Sequence, residues 1–449
     1  MKTVRTFYIL ILTQTFSLIG SRISSLALGM WLFNETGQAT PLALVAFFTT
    51  IPAVVASGLS GVLADRWDRR LVMVLSDAGQ ALGTALLLIS FLSGSFEVWH
   101  LYVVTLIQAV FGVFQGPAFQ ASMTMLIPDN QRDRANAIMQ LTGPMAGIVA
   151  PIFAGFIFAA VGVEGAIMID LLTFLAAMVV VFNVTIPRPT ETAEGAAMRG
   201  TVWEESWSGL RYLRARPSMF FMTLYIALIN FVIAGTMTLS IPYLLARTGS
   251  EATLGLILGL FNLGAIVGGV VIGIWGGTRP RMFTILPGLI FAGIMMMGMG
   301  SGRTPVMLAV SFFLFMLPLP MINALAMSIM QAKVPPDLQG RVFAVLGQMS
   351  LLLTPLSYLI VGPLADRVFE PAVGQAGWAA VAPLVGSGTG AGIGLMFFGA
   401  GVLVVLMTTA VLLIPLIRDM ERLLPDYQAV AEANAPQGAA PELGSAPVA

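Results

Sequence analysis

Two aspartates lie inside long apolar stretches of this chain, where ionisable side chains are rare. Asp77 follows a basic run that ends at Arg70, and Asp170 lies in the stretch from 163 to 186. A carboxyl group among apolar residues loses much of its hydration, so its neutral form becomes accessible and it can take up and release a proton. We therefore predict proton exchange at both aspartates. The alternatives are an ion pair of Asp77 with residues 66–70 and a capping or packing hydrogen bond at Asp170.

One arginine and several carboxamides also lie among apolar residues. Arg22 is deep in the first stretch, where a guanidinium without a partner costs about 2.5–3.5 kcal/mol on insertion scales. We predict that it faces a cavity and binds an anionic group or stabilises an ionised carboxylate, and the alternative is a bond to the carbonyls of a neighbouring helix. Buried amides either join helices or line a cavity. The candidates for the cavity wall are Gln14, Gln108, Gln115, Gln140, Asn230, Asn262, Asn323 and Gln348.

A charged turn follows the second apolar stretch. A glycine at its start lets another helix approach closely. An aspartate four residues later can then face a helix N-terminus, where negative charge is favoured by about 0.3–1 kcal/mol. We predict a conformational latch that holds the cytoplasmic side shut, and the alternative is an ordinary turn that only orients two helices. The latch residues are Gly61, Asp65, Arg66, Arg69 and Arg70.

The composition excludes several other kinds of chemistry. The chain has no cysteine and one histidine, His100, so thiolate and histidine metal sites cannot be assembled. No phosphate-binding loop or Ser-His-Asp arrangement is present, and we predict neither an enzyme nor a bound metal or cofactor. The 22 basic and 22 acidic residues balance, so no global field attracts nucleic acid.

Membrane-spanning helices must position these residues. Of 449 residues, 57% are hydrophobic and 10% are charged, whereas soluble domains average about 25% charged. About 20 apolar residues cross the hydrocarbon core as a helix, because each backbone polar group must be satisfied within its own segment. The predicted spans 1 to 12 cover residues 7–33, 41–64, 71–93, 98–126, 136–160, 163–186, 218–245, 252–275, 282–300, 304–331, 341–365 and 389–417.

The distribution of basic residues supports this number of spans. Lys and Arg concentrate on the cytoplasmic side of inserted helices. With both termini cytoplasmic, most of the 22 basic residues lie on that side, and the far side has only Arg247, Arg303 and Arg367. We predict a multi-pass monomer in the lipid bilayer of the inner (cytoplasmic) membrane.

The spans divide into two six-helix bundles. Between them, Thr201 and Glu204 have the spacing of a capping box, which predicts an amphipathic cytoplasmic helix. The end of the chain is rich in Ala, Pro and Glu, which is typical of disorder. The predicted units are an N-terminal bundle (1–186), a linker (187–217), a C-terminal bundle (218–417) and a largely disordered cytoplasmic tail (418–449).

Loop sequences repeat between the two bundles. The segment that begins at Gly61 aligns with the one at Gly273, and Pro128 aligns with Pro336, at a spacing of about 210 residues. Repeats that rock about a central site give alternating access. The segment Gly362–Arg367 also looks like the Gly61 turn, but it falls at the outer end of span 11, so we do not count it as a repeat.

The charged turn, Gly61-x-x-x-Asp65-Arg66-x-x-Arg69-Arg70, resembles the signature of the major facilitator superfamily. The stretches 129–136, 169–174 and 335–343 resemble the macrolide-efflux branch of its drug:proton antiporters. The resemblance covers nearly the whole chain except the tail. It implies an all-α integral membrane fold of twelve helices in two pseudo-symmetric bundles around a central cavity, and export of amphiphilic compounds.

Two spans bear on the resemblance to antiporters. Many members carry an arginine midway along span 4, where Gln108 is the nearest candidate here. Span 4 therefore offers no arginine for proton coupling. Span 5 partly resembles the proline-glycine motif of antiporters, with the residues Gly143, Pro144, Gly147, Pro151 and Gly155.

We expect a secondary transporter that exports amphiphilic small molecules, such as drugs, macrolides or metabolites, in exchange for protons. Transport of lipids, lysolipids or siderophores is an alternative. A membrane sensor that does not transport is a further one, and the charged turn together with the polar residues in the spans argues against it.

Overall fold

The structure is a computed structural model of the chain. It describes the backbone of residues 2–66, 69–126, 132–183 and 210–427, and most of the side chains in these ranges. All regular secondary structure in the described ranges is helical.

The first half of the chain forms five long helices. Two predicted spans, 5 and 6, lie in one of them and are separated at Gly162, whose φ of 71° interrupts the helical conformation. Glycine adopts this left-handed conformation without steric cost. The helices are α1 (Lys2–Thr36), α2 (Thr40–Arg66), α3 (Arg69–Leu92), α4 (Val98–Leu126) and α5 (Arg132–Asn183).

The second half is divided into more segments. Spans 7, 10 and 11 are each interrupted, and the segments after two of these breaks start with Pro318 and Thr354-Pro355, where proline lacks the N–H of a continuous helix. The helices are α6 (Pro217–Thr238), α7 (Ser240–Thr248), α8 (Glu251–Trp275), α9 (Met282–Ser301), α10 (Pro305–Met316), α11 (Pro318–Lys333), α12 (Pro336–Leu351), α13 (Thr354–Leu364), α14 (Glu370–Ala372), α15 (Ala382–Val385), α16 (Ala391–Leu412), α17 (Pro415–Arg418) and α18 (Met420–Leu423).

The helices account for the predicted membrane spans. Among the described residues, ten helices are long and apolar enough to cross a membrane. One of these, Leu141–Asn183, provides two crossings because it breaks at Gly162, and the shorter apolar helix Thr40–Ala56 corresponds to span 2. The predicted all-α membrane fold is confirmed.

An even number of crossings brings the start of α1 and the end of α16 to one side, which we name the terminal face. Near this face each bundle has its own buried core. The first contains Phe7, Leu10, Met73, Leu126 and Val181. The second contains Met219, Met222, Ile285, Met330 and Val411.

On the other side, which we name the opposite face, the two bundles share one core. It joins Met30, Ala43 and Ala154 of the first bundle to Tyr243, Met296, Phe312 and Phe397 of the second. The bundles are therefore closed against each other at the opposite face and have separate cores at the terminal face.

Two pairs of helices carry most of the contact between the bundles. The first part of α5 packs against α8, and α2 packs against α13. Glycines permit both contacts, because a side chain at Gly255 would overlap the carbonyl oxygen of Pro151 and one at Gly362 would overlap the backbone of Thr40.

The segment after the last span is bound to the second bundle. Lys333 is only 8% exposed, and its ammonium donates to the carbonyl oxygens of Glu421 (2.8 Å) and Leu424 and lies 2.8 Å from Asp426 Oδ1. The Glu421 carboxylate accepts the backbone N–H of Met282 (3.2 Å) at the start of α9. The part of the predicted tail that the structure describes, up to residue 427, thus packs on the terminal face.

The predicted linker is described only near its end. Residues 210–214 are helical, and the Tyr212 hydroxyl donates to the carbonyl of Lys333 (3.2 Å). The capping-box residues Thr201 and Glu204 lie outside the described residues, and the predicted domain boundaries stay predictions.

Candidate functional site

Three helices of the first bundle carry polar side chains at helical spacing. Residues three or seven positions apart lie on one face of a helix. These faces of α1, α3 and α4 meet inside the bundle, where α5 also contributes Asp170. The polar residues are Gln14 and Ser21 on α1, Asp77, Gln80 and Thr84 on α3, and Gln108 and Gln115 on α4.

Asp77 is completely buried between α1, α3 and α4. Its Oδ2 accepts a hydrogen bond from Gln14 Nε2 (3.2 Å), and its Oδ1 accepts one from Gln115 Nε2. Gln80 Nε2 donates to Gln115 Oε1 (2.7 Å), which orients the Gln115 amide with its nitrogen towards the carboxylate. The donors around Asp77 are thus amide N–H groups, which cannot accept a hydrogen bond from a protonated carboxyl group.

Asp170 is 4% exposed and is held by hydroxyl groups instead. Ser21 Oγ donates to its Oδ1 (2.8 Å), and Thr84 Oγ1 donates to its Oδ2 (3.1 Å). Gln108 Nε2 in turn donates to Thr84 Oγ1 (3.0 Å) and to the carbonyl oxygen of Gln80 (3.1 Å). Gln80 joins the two sites, because its side chain binds Gln115 beside Asp77 and its carbonyl oxygen binds Gln108, which contacts Thr84 beside Asp170. The partners of the two aspartates therefore form one hydrogen-bonded network.

The two aspartates differ in what their partners can do. A hydroxyl donates to a carboxylate and can rotate to accept from a protonated carboxyl group, whereas an amide N–H only donates. The partners of Asp170 therefore suit both protonation states, whereas the partners of Asp77 suit the ionised one. The described residues contain no salt bridge to either aspartate, and Arg70 instead donates to the carbonyl of Phe182 and lies over its ring.

Two adjacent cavities border this network. The larger, of about 560 Å³, lies between α1, α2, α3, α4 and α5, and two residues of the second bundle, Ile241 and Tyr358, complete its wall. The smaller, of about 380 Å³, lies nearer the terminal face. Gln80 and Gly112 border both cavities, and no atom of the described residues occupies the space where a side chain at Gly112 would extend. Among the predicted cavity residues, Gln108 borders the larger cavity, and Gln14 and Gln115 border the smaller. Asp170, which was predicted for proton exchange, also borders the larger cavity.

Arg22 lies where α1, α5 and α8 meet. Its Nη1 donates to the carbonyl oxygen of Gly143 (3.2 Å). A side chain at Gly147 would overlap Asn262 and crowd the Arg22 guanidinium. This geometry matches the predicted alternative, a bond to the carbonyl of a neighbouring helix, and the described residues that border the two cavities do not include Arg22.

The proline-glycine motif of α5 faces the second bundle. Gly143 accepts the bond from Arg22, and Gly147 lies against Asn262. Gly155 lies against the backbone of Glu251, and the carbonyl of Pro151 lies against Gly255. Gly147, Pro151 and Gly155 of the motif thus form the contact between α5 and α8, and Pro144 lies inside the same helix.

Other predicted cavity residues that the structure describes lie in the second bundle, apart from the network. Asn230 and Asn323 border a cavity of about 120 Å³ inside the second bundle, and Asn230 Nδ2 donates to the carbonyl of Ser350 (3.0 Å). Gln348 is half-buried on α12. The side chains of Gln140, Asp65, Arg66 and Arg69 and the surroundings of Gly61 lie outside the described residues.

Sequence reasoning missed four residues of the site. Ser21 and Thr84 bind Asp170, Gln80 joins the two aspartates, and Tyr358 brings the second bundle to the cavity. Gln80 and Thr84 follow Asp77 by three and seven positions, which is a signal that the sequence contains. No comparable signal marks Ser21 or Tyr358.

The sequence pattern of the Major Facilitator Superfamily matches residues 10–356, so the chain belongs to this superfamily. Macrolide efflux protein A of Streptococcus pyogenes is 26% identical over 81% of this chain and 90% of its own length. Multidrug efflux pump Tap of Mycolicibacterium fortuitum is 23% identical over 77% of this chain and 86% of its own. The predicted resemblance to the macrolide-efflux branch is confirmed.

Solved structures show the same fold. A bacterial homologue of the human lysosomal transporter Spinster, in an inward-facing and unoccupied conformation, has a TM-score of 0.69 at 16% identity, over 94% of this chain and 97% of that one. The nucleoside transporter NupG has a TM-score of 0.65 at 14% identity, over 90% of this chain and 98% of that one. The protein is a multi-pass membrane transporter.

Proposed function

We propose that this protein exports amphiphilic small molecules in exchange for protons, by alternating access. One observation carries the proposal: Asp170 borders the larger cavity and is held by two hydroxyl groups that suit both of its protonation states. A substrate in the cavity and a proton on Asp170 would thus occupy the same site.

The larger cavity supports a drug-sized amphiphilic substrate. Its volume of about 560 Å³ falls within the range of small-molecule sites, roughly 300–1,000 Å³. Leu28, Leu32 and Phe174 provide apolar surface, and hydroxyls such as that of Ser24 provide hydrogen bonds. Asp170 is the acidic residue among the described lining residues, and no arginine or lysine is among them, so neutral or cationic amphiphiles are favoured over anions.

The two aspartates have different parts in this proposal. Asp170 takes up a proton when the substrate leaves and releases it when the next one binds. Asp77, held by the amides of Gln14 and Gln115, keeps its negative charge and orients the network. The names of the efflux relatives support an export function for this chain.

The access route follows from the two cores. Basic residues favour a cytoplasmic terminal face. Because the bundles share a core at the opposite face, the larger cavity would be reached from the cytoplasm through the smaller one. The described conformation then corresponds to the state in which the exported substrate binds from the cytoplasm.

Reconstitution in proteoliposomes tests the function. An imposed pH gradient with a fluorescent pH indicator inside should collapse faster when an amphiphilic amine or a macrolide is added, and radiolabelled substrate should accumulate. Binding without flux would support a sensor instead. Flux that is unaffected by the pH gradient would rule out proton exchange.

A further inference from the structure

The end of span 11 forms an unusual contact between the two bundles. After α13, a π-helical turn, Ala365–Phe369, carries Asp366 at the opposite face. Its Oδ1 accepts the backbone N–H of Ala39 (2.8 Å), and its Oδ2 accepts the backbone N–H (2.7 Å) and the hydroxyl (2.5 Å) of Thr40. One carboxylate of the second bundle thus receives three hydrogen bonds from the first.

The donors belong to the start of a long helix. α2 begins at Thr40 and has 27 residues. The first N–H groups of a helix have no partner within it, and they carry the positive end of the helix dipole. A capping side chain normally comes from the residue just before the helix. Here Asp366 caps α2 from the other bundle, so the bundles cannot separate at this point without uncapping the helix.

The pseudo-symmetric contact lacks such a cap. Gly362, one turn before Asp366, lies against Thr40, and Gly155 lies in the same way against Glu251 at the start of α8. These two contacts are about 210 residues apart, as the repeat requires. Asp366 follows Gly362 in the first contact. In the second contact, the residues that follow Gly155 on α5, 156–160, are all apolar. Of the two contacts, the one between α2 and α13 thus carries the carboxylate cap.

Other charges that the structure describes at this face do not cap α2. Glu251 of the second bundle also binds the first bundle, but it accepts a side-chain hydrogen bond from Asn34 Nδ2 (3.2 Å) and not the N–H groups at the start of a helix. Glu370 accepts the backbone N–H of Ile393 (2.8 Å) and so caps α16 within its own bundle. Arg247 donates to the carbonyl of Val385 (2.6 Å), also within the second bundle, and Arg367 is exposed.

We propose that Asp366, with Ala39 and Thr40, is a latch that holds the opposite face shut. Asp366 follows Gly362 by four residues, as Asp65 follows Gly61. The Gly362–Arg367 segment is therefore the chemical counterpart of the predicted cytoplasmic latch at the other face, although it is not a sequence repeat. Opening of the opposite face requires the carboxylate to leave the start of α2.

Distance measurements between spin labels test this latch without any substrate. The chain has no cysteine, so Ser95→Cys in the first bundle and Ser387→Cys in the second provide two exposed labelling sites at the opposite face. Asp366→Ala should add a longer distance to the distribution. The ratio of open to closed molecules should rise about 2- to 30-fold, the range produced by loss of an N-cap.

Three further variants make the result specific. Asp366→Asn and Thr40→Val each remove only part of the hydrogen bonding, so each should shift the distribution less and in the same direction. Glu164→Gln neutralises an exposed carboxylate at the same face and should shift nothing. The latch is wrong if Asp366→Asn and Thr40→Val leave the distribution unchanged, or if Glu164→Gln shifts it equally. Since no transport is measured, the result is independent of the proposed export function.

Discussion

At the scale of single residues, the site separates two carboxyl groups by the chemistry of their partners. Hydroxyls around Asp170 can reverse their hydrogen bonds, whereas the Gln115 amide at Asp77 is oriented as a donor because Gln80 fixes it. In the proposed mechanism, this difference gives two aspartates of similar burial different roles, one in proton exchange and one as a permanent charge.

Asp170→Asn should abolish proton-driven accumulation, because the amide cannot exchange a proton but can still bond to Ser21 and Thr84. With one proton exchanged per substrate, a gradient of one pH unit supports about tenfold accumulation in proteoliposomes, and the variant should show none. Equilibrium exchange of labelled substrate should persist and serves as the control. Accumulation at the level of the unmodified protein would remove Asp170 from the coupling mechanism.

Asp77→Asn should instead destabilise the protein, because the new amide places N–H groups against the donors of Gln14 or Gln115. An unsatisfied buried polar group costs about 1–3 kcal/mol, which should lower the thermal unfolding temperature. The same melting experiment on Asp170→Asn should show a smaller change. Equal melting temperatures for both variants would contradict the assigned difference.

At the scale of elements, glycines determine how closely the bundles approach. α5 and α8 touch through backbone at Gly155 and Gly255, which explains why the proline-glycine motif lies at this contact rather than at the cavity. Helices in lipid associate through such close packing, since lipid tails provide no hydrophobic driving force between them.

Gly255→Val should weaken this contact, because its side chain would overlap the carbonyl oxygen of Pro151. Overpacking costs typically about 1–3 kcal/mol. Thermal unfolding in detergent should show the loss. Gly269→Val on the same helix is the matched control, since none of the described atoms lies where its side chain would extend. If both valines have the same effect, the contact does not depend on the missing side chain.

Part of this arrangement could be predicted from the sequence. Asp77, Asp170 and the amides Gln108 and Gln115 were identified because polar groups are rare in spans, and Gln80 could have been found from its spacing. The pairing of Ser21 with Asp170 could not be predicted, because 149 residues separate them and the packing of α1 on α5 brings them together.

The contact of Asp366 with α2 is a second pairing that could not be predicted from the sequence. Hydropathy and charge indicate the number of helices, but not which helix end of one bundle meets the other bundle. The resemblance of Gly362–Arg367 to the Gly61 turn was visible, whereas its partners Ala39 and Thr40 are more than 300 residues away.

At the scale of the whole molecule, the protein is closed at one face and has separate cores at the other. The shared core with Met30 and Phe312 and the latch at Asp366 lie at the same face. Alternating access would exchange this closure for one at the terminal face.

Cysteine labelling should establish which face is cytoplasmic. Ser95→Cys at the opposite face should react with a membrane-impermeant maleimide in intact cells. Arg279→Cys, in the exposed loop between α8 and α9, should react only after permeabilisation. The unmodified chain, which lacks cysteine, is the control. The reverse pattern would invert the proposed direction of access.

The binding of Lys333 to residues 421–426 limits how the carboxyl end can be altered. A truncation before α17 would remove the carbonyl oxygens of Glu421 and Leu424 and the carboxylate of Asp426, and would leave the buried Lys333 ammonium without these acceptors. A purification tag or fluorescent reporter should therefore be attached after residue 427, so that the contacts of residues 421–426 with α9 and α11 stay intact.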